Sequence, residues 1–317
     1  MRLSIVVVTW NCRKYVQEFF GSLAYLFNDP SVEIIVADNA STDGTPELIA
    51  QSFPSINLIR NSGNLGFAKG NNIALERCSG EYIALINPDV KVLPGCIERM
   101  METLQSHPDI GLLGPRMLER DALVHRSTMR FPTVWNCFCN AVALDIVFSR
   151  FRFFSGYLMR DFQFDKTTEV EILNGWFWMT RRKALLEVGG LDERFFMYGE
   201  DMDWSRRFKN AKWKNVYLAE ASSIHYGGGS SSNSPVRFYI EKHRANFQYF
   251  EKHHNPFEQA GFWISVFLYH FFRVLGHGVR YVLPGSNRQE RGYKVKRSMA
   301  CLRWLVGFMP DTDVRSS

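Results

Sequence analysis

Three carboxylates, Glu200, Asp201 and Asp203, fall within four positions, directly behind the aromatic-rich run Phe195-Phe196-Met197-Tyr198. If this segment is helical, the spacing of three between Glu200 and Asp203 prevents all three acids from sharing one face. Like charges so close repel, and a carboxylate half-buried among aromatics holds its proton more tightly. A general base needs that environment. Asp201 is the expected base, with Glu200 or Asp203 in support; the competing reading is plain stabilisation of a helix N-terminus by negative charge. A second acid, Asp89, ends the apolar run Tyr82-Ile83-Ala84-Leu85-Ile86 through Asn87-Pro88. Pro88 stops the strand, and an acid just beyond a strand's carboxyl end suits a hard divalent cation that carries phosphate oxygens. A turn acid is the bland alternative. His225 follows the segment Ala219–Ile224 and precedes Tyr226 and three glycines. A lone His is more often structural, but its place makes a metal contact beside Asp89 reasonable.

Two further strand tips carry polar groups. The first strand stops at Thr9-Trp10-Asn11 and the second at Asp38-Asn39-Ala40-Ser41. Singly, Thr9, Asn11 and Asn39 read as turn and capping residues. Together, two such tips on adjacent strands favour a nucleotide site, with Asp38 suited to ribose hydroxyls. The stretch Asn61-Ser62-Gly63-Asn64-Leu65-Gly66 then leads into a helix opened by Gly66, whose backbone N–H groups can face a nucleotide or phosphate. It is neither a Walker loop nor the G-x-G-x-x-G fingerprint, which argues against a P-loop ATPase and an NAD enzyme.

The elements that must position these residues alternate in type. Leu3–Val8 is a β-branched strand, Tyr15–Leu26 a helix by apolar spacing, and Glu33–Ala37 a strand. Thr45 caps a helix with Pro46 at its first position, Ile56–Ile59 is a strand, Gly66–Arg77 a helix and Tyr82–Ile86 a strand. Such a rhythm with short links predicts an α/β fold, a mostly parallel sheet flanked by helices. The stretch 117–169 is less regular and reads as an insertion. Order returns with a strand at Glu171–Met179, helices at Lys183–Val188 and Asp201–Phe208, and a strand at Lys214–Leu218. Gly227 to Ser232 reads as a flexible link, dividing residues 1–232 from a helical, basic and aromatic region at 233–317.

At 317 residues, one large domain with an appendage fits. A net charge of +6 suits an anionic partner, yet no nucleic-acid-binding signature is present. The six cysteines lack any framework spacing, and Cys137-Phe138-Cys139 lacks a second ligand pair. With the N-terminus entering a strand at once, a reduced, cytoplasmic, unsecreted protein is expected.

The blocks Val6 to Asn11, Val36 to Gly44, Asn64 to Asn72, Asn87-Pro88-Asp89 and Phe195 to Asp203, in this order, resemble the family 2 inverting glycosyltransferases of the GT-A fold. Within that family the chain is most similar to bacterial rhamnosyltransferases of O-antigen and cell-wall linker synthesis. The resemblance spans roughly residues 3–250 and implies a GT-A, Rossmann-like domain with a helical C-terminal appendage. It implies that Thr9, Asn11 and Asp38 hold base and ribose, with Asn39 a further donor-site candidate from its strand tip, that Asn64 and Gly66 line the nucleoside pocket, and that Asp89 is the last acid of an Asp-x-Asp-type metal motif whose first acid is here Asn87. Asp201 falls on the general base, His225 on a further contact to Mg²⁺ or Mn²⁺. The implied reaction is a single displacement from a nucleoside-diphosphate sugar, dTDP-L-rhamnose or a UDP-sugar, onto a glycan or polyprenyl-diphosphate-linked acceptor. Arg207 would then add charge near the leaving group, or simply face solvent. Trp176 and Trp178 would stack on a sugar ring, or belong to the core.

The run Ala260–Leu283 is apolar but interrupted by His270, Arg273, His277 and Arg280, whose spacing places them on one helix face. A basic stripe opposite Phe, Leu, Val and Tyr predicts an interfacial helix, and Phe148 to Phe154 and Arg291 to Trp304 mix cations and aromatics similarly. Peripheral contact with the inner face of the cell membrane is the expectation, against a buried helix pair. Two rivals to sugar transfer stay open: a nucleotide-sugar hydrolase or nucleotidyltransferase, and a catalytically silent sugar-nucleotide or membrane binder.

Overall fold

The computed structural model describes residues 2–159, 162–227, 235–282 and 288–307. Strand β1 (Leu3–Thr9) is buried on both faces, with Leu3, Ile5 and Val7 on one side and Ser4 and Val6 on the other. A strand so covered has no polar side to show, which is why it reads as an unbroken apolar run. The alternation continues with α1 (Arg13–Ser22), β2 (Val32–Asp38), α2 (Thr45–Ser52), β3 (Asn57–Arg60), α3 (Phe67–Leu75) and β4 (Tyr82–Ile86). Next come β5 (Val90–Val92), α4 (Cys96–Ser106), β6 (Ile110–Leu118), β7 (Val124–His125) and β8 (Thr128–Met129). After helices α5 (Val134–Ala141), α6 (Leu144–Val147) and α7 (Arg152–Ser155), the chain returns through β9 (Thr168–Glu169), β10 (Ile172–Leu173) and β11 (Phe177–Arg181). It closes with α8 (Arg182–Val188), α9 (Glu200–Asn210), β12 (Lys214–His225), α10 (Pro235–His253), α11 (Pro256–Val282) and α12 (Arg288–Leu305).

The main sheet is mostly parallel and runs β3-β2-β1-β4-β11-β6-β12-β5. Its first four strands are parallel, β11 enters antiparallel between β4 and β6, and β12 lies parallel to β6. One apolar core lies between the sheet and α1 and α4, built from residues such as Ile5, Phe19, Val36, Ala84, Met100 and Leu113.

Several boundaries differ from the sequence reading, each for a physical reason. The first helix stops at Ser22 and a short 3-10 turn, Ala24–Leu26, follows. Gly44, left-handed at φ 80°, is the cap of α2, while Thr45 is its first residue and is held by Asp43 through both N–H and hydroxyl. The expected strand Glu171–Met179 is two strands, β10 and β11, broken at Asn174-Gly175-Trp176. The strand starting at Lys214 runs on to His225, with a register shift against β6 between Leu218 and Ser222. Such an irregularity bends a strand. Past it, β12 pairs antiparallel with β5.

The chain divides into two units, Met1–Met129 with Gln163–Ser230 and Arg130–Phe162 with Ser231–Ser317. The stretch expected as an insertion is therefore shared: 117–129 completes the sheet unit, as does β9, and 130–162 groups with the C-terminal helices. The expected link at Gly227 to Ser232 lies outside the described residues, Gly227 apart.

In the second unit, Phe262 of α11 stacks on Phe250 and meets Phe247, both of α10, and Val134 of α5 lies against Gly261. Helix α5 opens with a capping box, Thr133 and Asn136 bonding reciprocally. The basic stripe expected on α11 is not a solvated face. His270 is 1% exposed and hydrogen-bonded to His243, Arg273 lies 3.4 Å over the Tyr269 ring, and His277 meets Arg291. Arg280 stays exposed, but most of the outward residues are apolar, among them Trp263, Ile264, Phe271, Phe272, Leu275 and Val279. Among the described residues no helix is long and apolar enough to cross a membrane.

Candidate active site

The carboxyl ends of β1 and β2 form one polar knot. Asp38 is buried and accepts from Thr9 Oγ1 at 2.8 Å, Ser41 N at 2.9 Å and Ser41 Oγ at 2.6 Å. Asn11, exposed and at φ 48°, accepts from Thr42 N at 2.8 Å, and Ala40 sits at φ 55°. Two non-glycine residues at positive φ on adjacent tips are strain that the knot over-determines. Asn39, also buried, donates to Gly66 O at 3.0 Å and accepts from Asn61 at 2.9 Å. Asn64 accepts from Gly66 N at 3.1 Å. Gly66 must be glycine: at φ 84°, a Cβ would lie 2.5 Å from Phe196 O. Thr9, Asn11, Asp38, Asn39, Asn64 and Gly66 are thus brought together, with Thr9, Asp38 and Asn39 forming the buried support and Asn11 and Asn64 the exposed rim.

Asp89 and His225 meet because of strand register. His225 is the cross-strand partner of Val90, and Tyr226 N donates to Asp89 O at 2.9 Å. Asp89 Oδ2 lies 3.4 Å from His225 Nε2, both side chains are largely buried, and His225 Nδ1 has no hydrogen-bond partner among the described residues. Asn87 holds the approach through its backbone, donating to Trp176 O at 2.9 Å.

The acidic helix separates its three carboxylates by environment. Tyr198 and Gly199, at φ 67° and 85°, make a sharp turn that starts α9 at Glu200. Asp203 is fully buried and ion-paired to Arg207 at 2.8 Å. All three Arg207 nitrogens donate within the protein, to Asp203, Val188 O and Gly190 O. Arg207 therefore fastens the 188–190 turn to the helix, with its guanidinium held by the protein rather than turned to solvent. Glu200 is buried with Oε2 unpaired among the described residues. Burial, and after it the charge of Asp201, push its carboxyl well above the usual carboxylate range. Asp201 is half-buried and accepts from Met202 N at 2.8 Å.

The break between β10 and β11 connects the two acid centres. Trp176 stacks on His225, ring centroids 4.6 Å apart. Its neighbour Gly175 passes so near Glu200 that a Cβ there would lie 3.8 Å from Oε1. Successive Cα atoms are about 3.8 Å apart. Of two consecutive residues, one therefore stacks on His225 and the other lies beside Glu200. Trp178, by contrast, is buried against Trp204 with its indole N–H on Leu173 O, and belongs to the core.

The profile of the glycosyl transferase family 2 matches residues 4–189. This chain belongs to that family. It is 28% identical over 305 residues, 93% of its own length and 97% of the other's, to an N-acetylglucosaminyl-diphospho-decaprenol L-rhamnosyltransferase of Mycobacterium tuberculosis. Among solved structures it is similar to the mannosyltransferase PcManGT of Pyrobaculum calidifontis, in complex with GDP-Man and Mn²⁺, with TM-score 0.56 and 14% identity over 98% of this chain and 88% of that one. It is also similar to S. aureus TarS 1-349, with TM-score 0.50 and 16% identity over 96% and 90%. At such identities the likeness shows the fold alone, and that fold is GT-A.

Around the paired Asp89 and His225, this family 2 glycosyltransferase has further groups that sequence reasoning did not single out. A cavity of ≈ 390 Å³ is lined by Glu119, Arg120, Asp121, His125, His225, Tyr226 and Gly227. His125 stands edge-on to Trp176 at 4.4 Å and pairs with Glu119 at 3.2 Å. Burial, then the nearby His225, lower its pKa while Glu119 opposes the shift. Arg120 lies 4.7 Å over the Tyr226 ring, which is hydrogen-bonded to Glu18. No local signal marks these residues, since the β6–β7 hairpin carries them to the site only through sheet pairing.

Proposed function

We propose that this glycosyltransferase moves L-rhamnose, or a closely similar sugar, from a dTDP- or UDP-sugar to a hydroxyl of a glycan or polyprenyl-diphosphate-linked acceptor, with inversion. The observation that carries the reading is the 174–176 turn, where Trp176 stacks on His225 of the Asp89–His225 pair and its neighbour Gly175 lies beside Glu200. The near end-to-end match to a rhamnosyltransferase acting on a lipid-linked acceptor supports the choice of sugar and acceptor.

In a single displacement, Asp201 accepts the acceptor hydroxyl's proton as the oxygen attacks the anomeric carbon and the bond to the nucleoside diphosphate breaks. Burial, and after it the charge of Asp201, make Glu200 hold its proton more tightly than an exposed acid would. The β1 and β2 tips, with Asn64 and Gly66, orient base and ribose. Asp89 and His225 fit a divalent cation: a carboxylate oxygen and an imidazole nitrogen 3.4 Å apart are spaced as neighbouring ligands of one ion, and the second His225 nitrogen is an orphan. Mg²⁺ or Mn²⁺ held there would supply charge stabilisation for the departing diphosphate. Asn87, a neutral amide, contributes less to such a site than an acid.

The outward apolar residues of α11, with exposed Ile146, Val147, Phe148, Phe151 and Phe153 beside Arg150 and Arg152, support peripheral binding at the inner membrane face, where a polyprenyl acceptor resides. The test is a thermal-shift panel of nucleotide sugars with and without Mn²⁺, followed by transfer to a GlcNAc-diphosphate-lipid. One donor should stabilise the chain, lose its effect with chelator and give a rhamnosylated product. Release of free sugar as the main activity would instead favour a hydrolase.

A further inference from the structure

Away from the candidate active site, three helices of the second unit meet through ligand-type side chains. His243 of α10, His270 of α11 and Cys301 of α12 bring one ligand atom each to within 4.8 Å of one another. The imidazoles face each other through Nε2 atoms 2.8 Å apart, with rings nearly perpendicular. His270 and Cys301 are each 1% exposed. Both Nδ1 atoms are buried without a hydrogen-bond partner among the described residues, and so is Ser298 Oγ, one helical turn before Cys301.

The bland alternative is a buried histidine pair beside a thiol. Two neutral rings meeting through the same nitrogen share one hydrogen bond at most, and the remaining buried polar atoms go unanswered. A cation between the rings would engage both Nε2 atoms and the thiol, whereas the Nδ1 atoms and Ser298 Oγ stay unpaired among the described residues in either state. Two imidazole nitrogens and a thiolate are, however, the donor set of a borderline-soft cation.

We propose that His243, His270 and Cys301 form a zinc site that ties α10, α11 and α12 together, with water in the fourth position. Zinc bonds of about 2.0–2.3 Å set tetrahedral ligand atoms roughly 3.3–3.6 Å apart, so the imidazoles, 2.8 Å apart, must separate slightly and the widest of the three spacings, within 4.8 Å, must close. On binding, Cys301 loses its thiol proton to solvent and the zinc–sulfur bond forms. Burial opposes that ionisation and the guanidinium of Arg297 favours it. Arg273 and Arg297 are cations near a cationic site, but each lies over an aromatic ring, Tyr269 at 3.4 Å and Tyr239 at 3.9 Å. A unit that turns much of its apolar surface outward has less core to hold its helices, and a metal cross-link compensates.

The test uses the full chain, stripped with chelator and titrated with Co²⁺. A thiolate-to-cobalt absorption band with four-coordinate ligand-field bands should grow to one equivalent, and Zn²⁺ should abolish it. Cys301→Ser should lose the band while Cys137→Ser keeps it. No band in the wild-type chain, or a band surviving Cys301→Ser, overturns the proposal. If Cys301→Ser does not fold, alkylation of the wild-type chain decides: Zn²⁺ should protect Cys301 and leave Cys137 unchanged, and equal labelling with and without Zn²⁺ rejects the site.

Discussion

The two units treat apolar side chains in opposite ways. Among the described residues, the sheet unit exposes large hydrophobics at Tyr25, Leu123, Val124 and Leu186, scattered through its surface. The helical unit exposes seventeen, among them Val147, Phe151, Phe153, Phe257, Phe271, Leu275 and Val279. On α11, His270 is turned into the interior and Arg273 lies over an aromatic ring, while Arg280 keeps the exposure that a surface helix normally gives its cations. Scattered apolar residues are ordinary, whereas an apolar set this dense is what the proposed membrane contact would need. The difference teaches that chemistry and location are carried by separate parts: polar groups converge at the strand ends of one unit, and apolar groups diverge from the helices of the other.

Breaking the sheet unit's chemistry should give the largest effect. Asp201→Asn should lower the transfer rate by about 10²–10⁴-fold, the usual worth of a general base, while nucleotide binding and vesicle binding stay intact. Unchanged turnover would remove Asp201 from that role. Arg207→Ala strands the fully buried Asp203 carboxylate and should cost about 3 kcal/mol in urea unfolding. A raised donor KM with unchanged stability would assign Arg207 to the leaving group.

On the other side of the comparison, Phe151→Ser with Phe153→Ser should weaken binding to anionic vesicles on the order of tenfold, about the loss of two partly buried rings. Turnover on a water-soluble acceptor should not change, and equal vesicle binding would show that these rings face water. The smallest effect is a pH dependence. Glu200 has its folded pKa raised above the unfolded value, so the folded state binds more protons between the two. Stability should fall as pH rises from the unfolded pKa, near 4.5, to the higher folded one. Glu200→Gln should flatten that slope in denaturation curves run upward from about pH 4.5, and an unaltered slope would mean that Glu200 is ionised in the fold.

Local pattern made much of the sheet unit legible. The runs Leu3 to Thr9 and Tyr82 to Ile86 declare themselves as buried strands, and their polar tips name Asp38, Asn39 and Asp89 without any knowledge of pairing. The acidic cluster was equally visible, but its division of labour was not: whether Asp203 or Asp201 is spent on an ion pair depends on Arg207 reaching the 188–190 turn. His125 and Arg120 were invisible because only the β6–β7 hairpin brings them beside His225. The helical stripe misled for a related reason. Spacing alone places His270 and Arg273 on one face, but it cannot say that the face turns inward to meet His243 and Tyr269.

The gap between β10 and β11 also constrains how this enzyme can change. Because Gly175 lies beside Glu200 and Trp176 stacks on His225, any adjustment of that turn is felt at both proposed centres at once. A methyl group at 175 would already crowd the Trp178 indole at 3.0 Å. Donor and acceptor preferences are therefore hard to retune through this segment one at a time, and variation in specificity is better accommodated at the exposed rims, such as Asn11, Asn64 and the Arg120 hairpin.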